Sequence, residues 1–170
     1  MDLHDKAVGQ RNLFERLVAK IPGFKGYMER ELRRDTDKLQ RDFCADKLFA
    51  QKGKVKEALE ELVAGGDIDG ITPFEKLLNR LDGVAQKIRS ADRGWAGLFD
   101  AVKVTEETLE RVYKFDLSLA DGVSEVEKKI SQLGSVDKAT ALQIVKEATK
   151  LVNEIDDYFA KREEILEKGA

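Results

Sequence analysis

The sequence predicts an all-α fold: an elongated antiparallel bundle, coiled-coil-like, of about five helices, three of them long. Three observations carry that expectation. Apolar residues recur at spacings of three and four along most of the chain, and no stretch alternates with period two for long enough to be a strand. Only two prolines interrupt 170 residues. Hydrophobic residues make up 42% and charged residues 37%, a charge-rich composition that still supplies a core. The length suits one domain, 1–170.

The first helix is expected over 3–20, with Leu3, Ala7, Phe14, Leu17 and Val18 on one stripe and Pro22 stopping it. Gly23-Phe24-Lys25-Gly26-Tyr27 then gives a bend, because two glycines permit a backbone path that other residues resist. A long helix is expected from 24 to 63, with Met28, Leu32, Leu39, Phe43 and Phe49 on its buried face. Glu29, Arg33, Asp37 and Arg41 form a charge ladder on a water-exposed face. Each such pair adds only about 0.2–0.5 kcal/mol. Gly53 costs about 1 kcal/mol relative to Ala, yet the apolar stripe resumes at once with Val55, Ala58 and Leu59, so a continuous or gently bent rod of about 60 Å follows.

Ala64–Ile71 breaks the pattern. Thr72 at the N-cap, Pro73 at the first helical position and Glu75 two residues on predict a helix over 73–91. A second junction contains Gly94-Trp95-Ala96-Gly97-Leu98-Phe99. Thr105 caps the next helix, 105–133, with Glu106 and Glu107 in its first turn and Gly134 closing it. The last helix is expected over 136–167, with Val145, Ala148, Val152, Ile155, Phe159 and Leu166 on its seam.

Several functions lose support here. Net charge is −3, which gives no bulk argument for nucleic acid or membrane. The single Cys44 rules out an internal disulfide and a thiolate metal site, and without a partner base it reads as an inert thiol. No run of 18 apolar residues is present, and the first residues lack the apolar core of a secretory signal, so a cytoplasmic location is the expectation. His4 is the only histidine, too few for the Glu-x-x-His pairs of a di-metal bundle. Gly65-Gly66-Asp67-Ile68-Asp69-Gly70 resembles a calcium loop, but Gly65 and Lys76 fall where its first and last ligands belong. No phosphate-binding or nucleophile-elbow motif appears, and no cofactor is implied.

What remains are two sets of residues. Asp35 and Asp116 fall in apolar stripes, where an unpaired carboxylate is expensive. Each is a candidate buried polar group, in a structural ion pair with an arginine such as Arg34 or Arg111, or else simply exposed at a bundle end, or alternatively the acid of a polar cleft. The second set is interaction residues: Phe24, Lys25, Tyr27, Arg33, Arg34, Asp37 and Arg41 around the first bend, and Arg93, Trp95 and Phe99 around the second. The two bends share the pattern Gly-aromatic-x-Gly-apolar. They read either as elbows whose aromatics seal the bundle ends or as loops presenting aromatics to a partner.

IPGFKGY, ELRRDTDKLQR, ADRGWAGLFDA and Tyr113-Lys114-Phe115-Asp116 together resemble a family of functionally uncharacterised prokaryotic all-helical proteins. The resemblance covers about 12–133; Phe24 and Trp95 stand where tyrosine is expected. It implies a helical fold and supplies no reaction. The sequence thus favours a non-enzymatic interaction or scaffold protein that docks a protein partner or itself. The alternative is an anionic-surface binder, for acidic lipid or nucleic acid, acting through the first third, where Lys20 to Lys54 holds 10 Lys/Arg against 6 Asp/Glu. An enzyme with a carboxylate cleft stands third.

Overall fold

The computed structural model describes residues 3–91, 96–101, 103–162 and 164, with the backbone alone at 3–7, 96 and 97. Six α-helices appear among them: α1 (Leu3–Lys20), α2 (Arg33–Ala64), α3 (Ile71–Ser90), α4 (Ala96–Asp100), α5 (Glu106–Ile130) and α6 (Lys138–Ala160). The described residues contain no strand.

Four of these close a ring: α2 packs on α3, α3 on α6, α6 on α5, and α5 on α2. Each interface is crossed by an ion pair: Lys52–Asp82 (2.5 Å), Arg80–Asp156 (2.8 Å), Lys129–Glu147 (2.7 Å) and Lys47–Glu127 (3.6 Å). Such pairs contribute little at a half-exposed surface, but they fix register. The α2/α3 and α5/α6 hairpins are each antiparallel and lie side by side, so α2 runs with α5 and α3 with α6. α3 and α5 stand diagonally opposite in the ring, and α4 lies between them in the chain. Helix α2, at 32 residues, is about 48 Å long, which makes the bundle elongated. α1 stands outside the ring, packed on α5, where Lys20 reaches Asp121 and Gln10 donates to the Glu106 carbonyl at 2.6 Å.

The helix ends depart from expectation in four places. Phe24–Glu29 is not helical. A short 3-10 turn, Arg30–Leu32, leads into α2 only at Arg33. The reason lies at the glycines: Gly23 and Gly26 have φ of 82° and 80°, and the chain between them doubles back over α5. α3 starts one residue before Thr72, on Gly70, whose amide is held by Asp67 (3.3 Å) rather than by a threonine cap. Pro73 then falls inside the first turn, where its missing N–H has no acceptor to lose. α5 ends at Ile130 and a 3-10 turn, Ser131–Leu133, finishes it. Gly134 takes no left-handed conformation there, whereas Ser135 does, at φ 55°. α6 begins at Lys138, capped by Asp137, whose carboxylate accepts from the Thr140 amide at 3.0 Å. The Thr105 cap (3.2 Å from the Thr108 amide) and the unbroken passage through Gly53 both agree with the sequence.

Two glycines make opposite predictions. A Cβ at Gly26 would meet the Tyr113 hydroxyl at 2.6 Å and Phe14 at 2.9 Å, on a backbone already in the left-handed region. A Cβ at Gly53 meets nothing within 4 Å. Urea denaturation should show Gly26→Ala destabilised by about 2 kcal/mol or more, and Gly53→Ala stabilised by about 0.5–1 kcal/mol.

Candidate functional site

The inner face of α2 is not the expected one. Arg33, Asp37 and Arg41 are buried, at 2%, 2% and 5% exposure, together with Thr36, Gln40, Cys44, Leu48, Gln51 and Val55. Met28, expected inside, is 75% exposed, and Leu32, Leu39 and Phe43 are only half-buried on the flank. The charge ladder therefore faces the core.

Buried charges need partners, and these find them in backbone ends. Arg33 donates from Nε to the Tyr27 carbonyl (2.8 Å), from Nη1 to those of Leu98 (2.9 Å) and Ala101 (2.7 Å), and from Nη2 to that of Met28 (3.3 Å). One guanidinium thus ties the first bend to the end of α4. Arg41 donates to the carbonyls of Ile88 (3.3 Å) and Arg89 (2.8 Å), at the C-terminus of α3. Those carbonyls have no helical donor, and the cation also meets the negative end of the helix dipole.

Asp37 accepts from Arg41 Nε at 3.0 Å and pairs with Arg162, beyond the end of α6. Arg162 lies over the Phe159 ring, 5.4 Å from its centre. Beside them, the Tyr27 hydroxyl donates to Asp116 Oδ2 at 2.6 Å, the Tyr113 hydroxyl accepts from the Tyr27 amide at 3.2 Å, and Thr36 donates to the Gly26 carbonyl at 2.9 Å. Phe14, Phe24, Tyr27 and Tyr113 pack ring on ring with centroids 5.9–6.2 Å apart. A polar hub thus sits inside one end of the bundle, with an aromatic wall toward α1.

Electrostatics follow from burial. Desolvation pushes the Asp116 carboxyl up to about 7; the Tyr27 hydroxyl and Arg162 pull it down, and Asp37 pushes it up again. The Tyr27 phenol is raised well above its ordinary value, first by burial and then by Asp116 and Asp37. Burial lowers Arg162, while Asp37 and Asp116 hold it up. Burial also raises the Cys44 thiol, which suits the inert role read from sequence.

Of the residues singled out from sequence, the hub gathers Tyr27, Arg33, Asp37, Arg41 and Asp116. Asp116 is buried as expected, but its partner is Tyr27, with Arg162 nearby, whereas Arg111 pairs with Glu107. Asp35 is exposed, on the side of α2 away from the core, so the expectation of burial fails there. Phe24 and Tyr27 are buried at 5% and 1%, and so act as wedges rather than as exposed lures. Phe99 is buried, and Arg34 lies 5.2 Å over its ring while pairing with Asp100 at 3.0 Å. Lys25 is exposed. Arg93, Trp95 and the His4 side chain lie outside the described residues. Asp67, in the loop that resembles a calcium site, is held by Lys138 at 2.5 Å. Among the described residues no group of three or more His, Cys, Asp or Glu could hold a metal ion, and no helix is long and apolar enough to cross a membrane.

Sequence reasoning missed Tyr113, Thr36, Gln40 and Arg162. A signal for Arg162 existed: it continues the Val152, Ile155, Phe159 spacing on the α6 seam. No family model, curated protein or solved structure matches this chain.

Asp116 makes a pH prediction. Its folded value lies above the ordinary aspartate value near 4, so the folded chain binds the extra proton between about 4 and about 7. This group therefore adds stability as pH falls through that window and withholds it above. Urea midpoints should show Asp116→Asn more stable than the parent at about pH 8, with the difference shrinking toward pH 5. Asp116→Leu, which leaves the Tyr27 hydroxyl without its acceptor, should lose about 1–3 kcal/mol.

Proposed function

We propose that this chain is a non-enzymatic helical interaction protein, a stiff scaffold that docks a protein partner or a second copy through its outer helix faces. The observation that supports this most directly is where the hub spends its polar groups. Arg33 is used on four backbone carbonyls, Arg41 on two carbonyls and Asp37, and Asp37 on two guanidinium groups. All of this chemistry holds helices together. An enzyme using a carboxylate cleft would need Asp116 open to a substrate, and Asp116 is 1% exposed.

The anionic-surface reading depends on cations pointing outward from the first third. Arg33 and Arg41 point inward, and Lys38, Lys47 and Lys52 lie against Asp42, Glu127 and Asp82. That weakens the field such a surface would offer to phosphates.

Co-sedimentation with acidic liposomes and gel shift with DNA, at low and high salt, separate the two. Neither should bind the protein in a salt-sensitive way. Lysine cross-linking in native cells should join the chain repeatedly to one protein or to itself. Binding to either anion that weakens as salt rises would transfer the assignment to the anionic-surface reading.

A further inference from the structure

The end of the bundle away from the hub is made by two turns, 65–70 between α2 and α3 and 131–137 between α5 and α6. The ion pair Lys138–Asp67 (2.5 Å) bridges the two sides. Between them lies a cleft of about 250 Å³, lined by Ala58, Leu62, Leu133, Val136 and Ala141, and by Glu61 beside that ion pair. It has room for one large apolar side chain.

Apolar surface continues out of the cleft. Six large hydrophobic side chains are exposed among the described residues, and three of them, Ile68 (76%), Val63 (48%) and Val136 (38%), belong to this one end. Scattered exposed apolar groups need no explanation, whereas a group gathered around a cleft marks a surface made to be covered.

The charge around it has one sign. Glu57 to Glu75 contains six acidic residues and no Lys or Arg, with Lys56 and Lys76 just outside. Glu57, Glu60, Glu61 and Asp69 are exposed and make no ion pair among the described residues, and Lys138, the base of the cleft, is taken by Asp67. Glu60 and Glu61 also stand in the last turn of α2, which holds no basic residue. That is the negative end of the helix dipole, where carboxylates weaken a helix and cations strengthen it. The fold gains nothing from this placement, and positive charge brought from outside would offset it.

We propose that this cleft seats a basic amphipathic helix of a partner protein. One of its apolar side chains enters between Leu62 and Val136, neighbouring ones cover Val63 and Ile68, and its Lys or Arg residues meet Glu57, Glu60, Glu61 and Asp69. This rests on the interaction-protein reading and names its site and the chemistry of its partner. The described residues offer no strand edge to which an extended peptide could add, so docking falls to a helix lying in a groove. Apolar anchors supply the affinity of such a contact, and the facing charges supply its orientation and rate.

Fluorescence anisotropy on the full chain tests it with three labelled peptides of about 18 residues, long enough to become helical on binding. The first has leucines at spacings of three and four with lysines on the flanks. The second is the same composition scrambled, and the third carries glutamate in place of lysine. The first should bind about tenfold or more tightly than either of the others. Its amide shifts should map to 57–69 and 131–141. Two double variants, Glu60→Lys with Glu61→Lys and Ile68→Ser with Val136→Ser, change exposed side chains and should keep the parent's helicity and Tm while weakening that binding about tenfold. Equal binding of the scrambled or the glutamate peptide overturns the proposal, as do parent-like binding by both double variants, shifts confined to another face, or no binding. Dimers of the parent that Glu60→Lys with Glu61→Lys abolishes would give the cleft to a second copy and overturn it too. Cross-linking in native cells keeps the two readings apart: repeated links to one protein without peptide binding sink this cleft alone, and only the absence of repeated links sinks the interaction reading beneath it.

Discussion

The hub end of this bundle depends on matching buried guanidinium groups to backbone carbonyls. A helix end leaves carbonyls with no donor, and burying them is costly unless something donates. The chain solves this with arginine, whose planar fork can serve several acceptors at once. Arg33 binds carbonyls from the first bend and from α4; Arg41 binds those that finish α3. Because these donors lie on one face of α2, that helix becomes the post to which three otherwise separate chain turns are fixed. Asp37 between them offsets their charge and extends the network to α6.

The remainder of the ring is held by ordinary means. Leu48, Val55, Leu77, Leu81, Val84, Ile88, Val126, Ile130, Val145, Ala148 and Val152 are all buried to within 1%. Phe115 stacks on Tyr158 at 4.8 Å between α5 and α6. The hub end is thus specified by polar geometry added to apolar packing, which runs through the rest of the ring. Polar networks specify a single arrangement more sharply than apolar contacts do, since a misplaced donor is penalised at once.

The all-helical architecture was legible because spacing alone encodes it, and the α6 seam from Val145 to Phe159 was read with the right residues, Leu166 lying outside the described residues. The orientation of α2 was not. That helix is charged on both faces, so apolar residues at Leu39 and Phe43 mark its flank rather than its core. Working backward from Leu48 and Val55 in steps of three and four passes through Cys44, Arg41, Asp37 and Arg33, but a stripe that turns ionic ordinarily means water. Only a tertiary fact, the carbonyls brought to it by α3 and α4, makes that stripe interior. Asp116 was legible because its neighbours on α5 are unambiguously apolar. Asp35 was misplaced by the same error of phase, and Met28 by taking the bend as helix. The junction after Gly23 was misread because a helix-forming pattern ran up to two glycines whose backbone had to turn the other way.

The hub joins Asp37 to Arg162 across 125 residues of chain. During synthesis, at about 5–20 residues per second, α2 emerges long before the segment that completes its interior. An apolar stripe left waiting would invite aggregation. A stripe of arginine and aspartate waits harmlessly in water, so the polarity that makes the finished core unusual also protects the unfinished one.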